Sequence, residues 1–185
     1  MRNKLLFLHG AGLQGDGQGS TALAIWLKGA LDPELQMLHP IMPTPDDPDY
    51  DPWKAELDRV IGPLRGEWIF VGHSLGGSVL LKYLTEEKIN CSVKAVLSVA
   101  APYWDGDEDW HYEPFTLKAG FGKRLPSHTI VRLYHSTDDP IVPYAHALLY
   151  ADQLPQAVLR TIAGDDHLFA RGLPQLAADI ESIAG

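Results

Sequence analysis

Within the 185-residue chain, Gly72-His73-Ser74-Leu75-Gly76 is the segment whose residue types and spacing carry the clearest chemistry. The serine stands between an apolar run, Trp68-Ile69-Phe70-Val71, and a helical pattern, Val79-Leu80-Leu81-Lys82-Tyr83-Leu84. A Gly-x-Ser-x-Gly turn there holds the serine in a strained backbone conformation. Its small flanking residues let the chain pass itself while the hydroxyl projects from the sheet. A serine hydroxyl is a poor nucleophile at neutral pH, so it needs a base within hydrogen-bond reach and a carboxylate to hold that base in the right tautomer. Two downstream segments supply them. Ser136-Thr137-Asp138-Asp139-Pro140-Ile141-Val142-Pro143 offers two acids, and Ala163-Gly164-Asp165-Asp166-His167-Leu168-Phe169 offers a histidine. Ser74 is expected to act as nucleophile and His167 as base, with Asp138 or Asp139 as the acid.

The elements that must position these residues alternate along the chain. Apolar runs at 4–9, 35–41, 68–72, 93–100, 129–135 and 157–162 read as strands buried on both faces. Segments 21–31, 52–61, 75–86, 144–153 and 174–183 carry apolar residues at three- and four-residue spacing and read as helices. Such alternation specifies an α/β fold with a mostly parallel sheet covered on both sides, since a parallel connection needs a crossover long enough to hold a helix. Both acid candidates and His167 then fall just past the carboxyl ends of strands, where ligands of open α/β sheets gather.

With the order Ser, Asp, His in place, the sequence resembles the α/β-hydrolase superfamily, and within it the small, lid-poor serine hydrolases of the retinoblastoma-binding-protein-nine type. The resemblance covers nearly the whole chain. It rests on residues 72–76, on Asp-Asp-Pro-Ile-Val-Pro at 138–143 and on Gly164-Asp165-Asp166-His167. It implies a three-layer α/β/α sandwich with a six-stranded parallel sheet in the order 2-1-3-4-5-6. It also maps the acid onto Asp139, which is followed by two residues and then a Val-Pro pair, with Asp138 as the runner-up that otherwise caps the turn. The oxyanion donors it implies are the amides of Leu75 and Ala11, with Gly12 as the alternative to Ala11. The implied activity is carboxylesterase-like cleavage of a small acyl ester through an acyl-enzyme, without metal or organic cofactor. The alternative is a silent binding protein on the same fold.

Two segments interrupt the alternation: the Pro-rich 40–52 and the aperiodic 102–126, which carries Tyr103, Trp104, Trp110, Tyr112 and Phe115 among acidic residues. Loops of that length inside a compact domain are often lids or binding loops. The 102–126 stretch and the loop near residues 43–51 are expected to wall a pocket in a single domain spanning 1–185, with Gly12, Tyr103, Trp104 and Trp110 touching substrate. The outline Gly10-x-Gly12-x-x-Gly15 also resembles a dinucleotide-binding turn, but its helix is delayed to about residue 20 and no acid ends the second strand. His39, His111, His128, His135 and His146 share no metal-ligand spacing. The bland roles of His9 and His73 are packing beside the site, and Asp165 and Asp166 read as a polar loop pair.

Composition narrows the rest. Fifteen Lys and Arg against 24 Asp and Glu give a formal charge of −9, which would repel a nucleic-acid backbone. The single Cys91 permits neither an intrachain disulfide nor a cysteine-rich metal site. The apolar opening after Met1-Arg2-Asn3-Lys4 stops after four residues, too short for a signal sequence, and no stretch is long enough to cross a bilayer. A cytoplasmic protein acting on a small molecule is expected.

Overall fold

A computed structural model describes residues 4–106 and 108–185; the Met1-Arg2-Asn3 opening lies outside them. Six strands, β1 (Lys4–Leu8), β2 (Gln36–Leu38), β3 (Glu67–His73), β4 (Ser92–Val99), β5 (Ile130–Ser136) and β6 (Ala157–Ile162), form one sheet. Every pairing is parallel, and the order is β2-β1-β3-β4-β5-β6, as expected. The connecting helices are α1 (Thr21–Ala30), α2 (Tyr50–Ile61), α3 (Leu75–Glu86), α4 (Ala145–Gln153) and α5 (Pro174–Ala184).

The period-two alternation of strand side chains divides the core into two slabs. Leu6, Leu8, Phe70, Val96 and Val131 pack on one face with Trp53 and Leu57 of α2, Leu80 and Leu84 of α3 and Tyr150 of α4. Leu5, Phe7, Ile69, Val71 and Leu97 pack on the other with Leu23 and Leu27 of α1 and Leu176 and Ile180 of α5. This is the three-layer arrangement.

Burial on both faces holds for β1, β3, β4 and most of β5, but not for the edges. β2 pairs through only three residues and is half exposed, and no residue of β6 is fully buried. An edge strand has one neighbour, and helices only partly cover it. Pro40, which lacks an N–H, cannot extend the β2 ladder. At α2 the helix starts two residues earlier than its apolar pattern, because the Asp49 side chain accepts a hydrogen bond from the Tyr50 amide and caps it.

Outside residue 107, the 102–126 segment is a chain of three short 3₁₀ turns. Phe115, Phe121 and Leu125 are buried in the core. Lys82 of α3 donates to the Thr116 carbonyl at 2.7 Å, and Lys118 pairs with Glu86 at 2.9 Å, so the segment is tied down on α3.

Candidate active site

Ser74 is the single residue between β3 and α3, with φ 52° and ψ −128°. Such a conformation costs a non-glycine residue about 1–3 kcal/mol and persists only where the surroundings impose it. Here the imposition is visible. The Ser74 amide donates to Val99 O at 2.8 Å and the Ser74 carbonyl accepts from Gly77 N at 2.9 Å. A Cβ on Gly76 would stand 2.5 Å from the carbonyl oxygens of Leu8 and His9, and one on Gly72 would stand 2.5 Å from that of Gly76. Strand β1 and helix α3 therefore approach to a distance that only glycine allows.

The hydroxyl so presented meets a histidine 93 positions away. Ser74 Oγ lies 2.9 Å from His167 Nε2, and His167 Nδ1 lies 2.8 Å from Asp139 Oδ2. A carboxylate only accepts, so Nδ1 carries the proton and Nε2 is left to receive one from the serine. The Asp139 side chain is fully buried, and its other oxygen is held by the amides of Ile141 (2.8 Å) and Val142 (2.9 Å). His135 Nε2 donates to Val142 O at 2.8 Å and stands 3.4 Å from Asp139 Oδ2. Burial alone would raise the Asp139 pKa. The close approach of His135 and hydrogen bonds from His167 and the Ile141 amide outweigh it and hold the carboxyl well below the usual carboxylate range.

Asp138 faces elsewhere. Its Oδ2 accepts from the Gly164 amide at 2.8 Å and from Thr137 Oγ1 at 3.1 Å, tying the loop after β5 to the loop after β6. Capping the turn after β5, the role expected of Asp138, belongs instead to Asp139 Oδ1. Asp166 Oδ1 accepts from the amides of Leu168 and Phe169, closing the turn that carries His167. Asp165 lies 3.6 Å from Arg171.

A family model for serine hydrolases matches residues 26–171, a span that contains Ser74, Asp139 and His167. The chain belongs to the serine hydrolase family. No curated protein matches its sequence significantly. Among solved structures, the ydeN gene product of B. subtilis is 20% identical with a TM-score of 0.82, covering 98% of each chain. Est1E from Butyrivibrio proteoclasticus is 16% identical with a TM-score of 0.71, covering 97% of this chain and 86% of its own. Mouse α/β hydrolase domain-containing protein 10 is 15% identical with a TM-score of 0.66, covering 97% and 88%. At these identities the likeness is one of fold, and the fold is that of the α/β hydrolases.

In this serine hydrolase a cleft of about 280 Å³ opens over Ser74 and His167. Its walls include Trp104, Trp110 and Phe115 from the 102–126 segment, Pro48 from the Pro-rich segment, and Ile141 and Leu168. Trp104 and Trp110 thus stand where substrate contact was expected. Tyr103 and Gly12 do not line the cleft. The Tyr103 ring packs edge-on against Tyr150 at 4.9 Å, turned toward the core. The Gly12 amide is spent on Pro45 O at 2.7 Å, which withdraws it as the alternative to Ala11. No hydrogen bond from the amides of Ala11 or Leu75 is found among the described residues, and both residues line the cleft beside Ser74. The glycine-rich loop makes no phosphate cradle: besides Gly12, the Gly15 amide is bound to Gln18 Oε1 at 3.1 Å.

Sequence reading missed Ile141 and Leu168 as walls, although each lies one or two positions past a residue of the Asp139–His167 pair. Their signal was exposure of large apolar side chains at those positions, 55% for Ile141 and 37% for Leu168, which only coordinates reveal.

Proposed function

We propose that this serine hydrolase is a carboxylesterase-type enzyme that cleaves small, uncharged acyl esters through an acyl-enzyme on Ser74. The observation that carries the reading is the unbroken hydrogen-bonded run from Asp139 through His167 to Ser74, at 2.8 and 2.9 Å. As Ser74 Oγ attacks the ester carbonyl, its proton passes to His167 Nε2, and the ionised Asp139 stabilises the imidazolium. The amides of Leu75 and Ala11 receive the oxyanion, in such sites usually the largest electrostatic contribution. Collapse of the tetrahedral intermediate breaks the ester bond, His167 protonates the departing alcohol, and the acyl group stays on Ser74. Water then enters, gives its proton to His167 and attacks the acyl carbonyl. A second collapse releases the acid and returns the proton to Ser74.

Substrate class follows from the walls. Among the described residues no Lys, Arg, Asp or Glu side chain lines the cleft, so a charged group entering it would lose its hydration without a partner from them. At about 280 Å³ the space is just below the usual range of ligand pockets, which favours compact acyl groups. A chromogenic ester chain-length series run beside a peptide-anilide panel tests this. Turnover is expected to peak at short uncharged acyl chains and to vanish on anilides. Preferred anilide cleavage, or rates that rise with long chains, would overturn the assignment.

A further inference from the structure

Two buried polar side chains at the floor of the cleft have no part in the mechanism above, Ser20 and His73, each 1% exposed. Ser20 precedes α1 at the position where a serine hydroxyl ordinarily caps the helix, yet its side chain makes no cap bond. Ser20 Oγ instead accepts the Gly10 amide at 2.9 Å and lies 2.7 Å from His73 Nδ1. His73 Nε2 lies 2.7 Å from the carbonyl oxygen of His167.

The ends of this chain fix its sense, because an amide only donates and a carbonyl only accepts. Gly10 N–H therefore gives to Ser20 Oγ, Ser20 O–H gives to His73 Nδ1, and His73 Nε2–H gives to the His167 carbonyl. One neutral tautomer of His73 satisfies the whole run. Burial and the neighbouring His167 push its pKa down to about 3, so the ring does not gain a proton at neutral pH. What the chain joins is two loops that reach the reaction centre separately. Gly10 immediately precedes Ala11 and packs so closely that a Cβ there would stand 2.9 Å from Ser74 Cβ, while the other end is the backbone of the base itself.

We propose that Ser20 and His73 are positioning residues that lock the oxyanion loop to the loop carrying His167, fixing the Ala11 amide and the His167 imidazole about Ser74. The inference rests on the roles proposed for Ser74 and His167. Gly10, Ser20 and His73 also border the cleft, but its aromatic and large aliphatic walls, Trp104, Trp110, Phe115, Ile141 and Leu168, come from other segments, so loosening the chain acts mainly on what develops in the transition state rather than on ground-state binding.

The test is Ser20→Ala, His73→Phe and the double variant, with kcat computed per site titrated by a fluorophosphonate, so that misfolded molecules do not count. Displacements of an ångström at such sites cost up to about 100-fold. Each single variant is expected to lose roughly 10- to 100-fold in kcat with KM within about twofold, and Ser20→Thr, which keeps a hydroxyl, to recover most of the loss. Since both singles cut one chain, the double should be no worse than the poorer single. Unchanged per-site kcat in Ser20→Ala, or losses that multiply in the double, would overturn the proposal. ¹⁵N-histidine NMR of the wild-type protein is a second readout that needs no variant: His73 should remain the Nε2–H tautomer from pH 5 to 9, and an Nδ1–H ring or a titration in that range would contradict it. Ser74→Ala, run alongside, separates the two readings: if it retains turnover, the Ser74 assignment fails; if it is inactive while Ser20→Ala is normal, only the positioning role does.

Discussion

Asp139 and Asp138 are adjacent carboxylates with unlike surroundings. The Asp139 carboxylate is buried and spends one oxygen on two backbone amides, which aims the other at His167. Asp138 spends its side chain on the Gly164 amide. Replacing Asp139 with Asn keeps the shape but reverses what His167 Nδ1 must do. In the Ser-His-Asp template such a change costs about 10⁴-fold in kcat, and Asp139→Asn is expected to match it in steady-state ester hydrolysis. Asp138→Asn should cost less than about tenfold, since it perturbs only loop placement. A larger loss from Asp138→Asn than from Asp139→Asn would move the acid role. The sequence presented both acids and His167 plainly, because each follows directly on an apolar strand run. It did not present the Ser20–His73–His167 run, whose members lie 53 and 94 positions apart. Nothing in local spacing distinguishes Ser20 from an ordinary helix cap.

At the scale of elements, the strand-to-helix turn at Ser74 is where local sequence and tertiary packing agree most tightly. Gly72 and Gly76 were legible as the glycines of a sharp turn, and the structure adds that Gly76 lies against the carbonyls of Leu8, the last residue of β1, and of His9 just past it. Those atoms are backbone and cannot swing aside. Gly76→Ala should destabilise the fold by about 3 kcal/mol, at the upper end of ordinary overpacking, with a lower urea midpoint and reduced activity. An unchanged midpoint would show that β1 and α3 have room to part. The central strands were legible because burial on both faces leaves continuous apolar runs. The edges were not: the apolar pattern around β2 extends over seven residues, yet only three pair, since a ladder also needs N–H groups and a neighbour. The course of 102–126 was hidden for another reason. Its 3₁₀ turns have no apolar period, and its anchors, Lys82 and Glu86, sit on α3.

For the whole molecule, the sheet order puts the ends of β3, β5 and β6 on one edge, and buried histidines gather under it. Burial lowers the pKa of His73 to about 3, with help from His167, and lowers that of His9 as well. In the unfolded chain these rings titrate near 6.5. Between about 3 and 6.5 the unfolded state therefore binds protons that the native state refuses, so stability is lost as pH falls through that window. Asp139 acts in the same direction at lower pH: its depressed pKa favours the native state above the ordinary carboxylate value, and that contribution is lost only in stronger acid. The melting temperature should be highest above about pH 6.5 and decline steadily below it, and a flat or rising profile on acidification would contradict the buried, neutral state of these histidines. Among the described residues no helix is long and apolar enough to cross a membrane. Charge and composition were silent on the cleft, because its walls come from six separate stretches of chain.

The central claim is that Ser74 is made nucleophilic by His167 and Asp139, and covalent trapping tests it most directly. Wild-type protein treated with a fluorophosphonate at neutral pH, digested and mapped by mass spectrometry, should carry one adduct, on Ser74. Labelling should be abolished in Ser74→Ala and slowed by orders of magnitude in a folded His167→Ala variant. An adduct on another residue, or equal labelling rates with and without the His167 imidazole, would contradict the account.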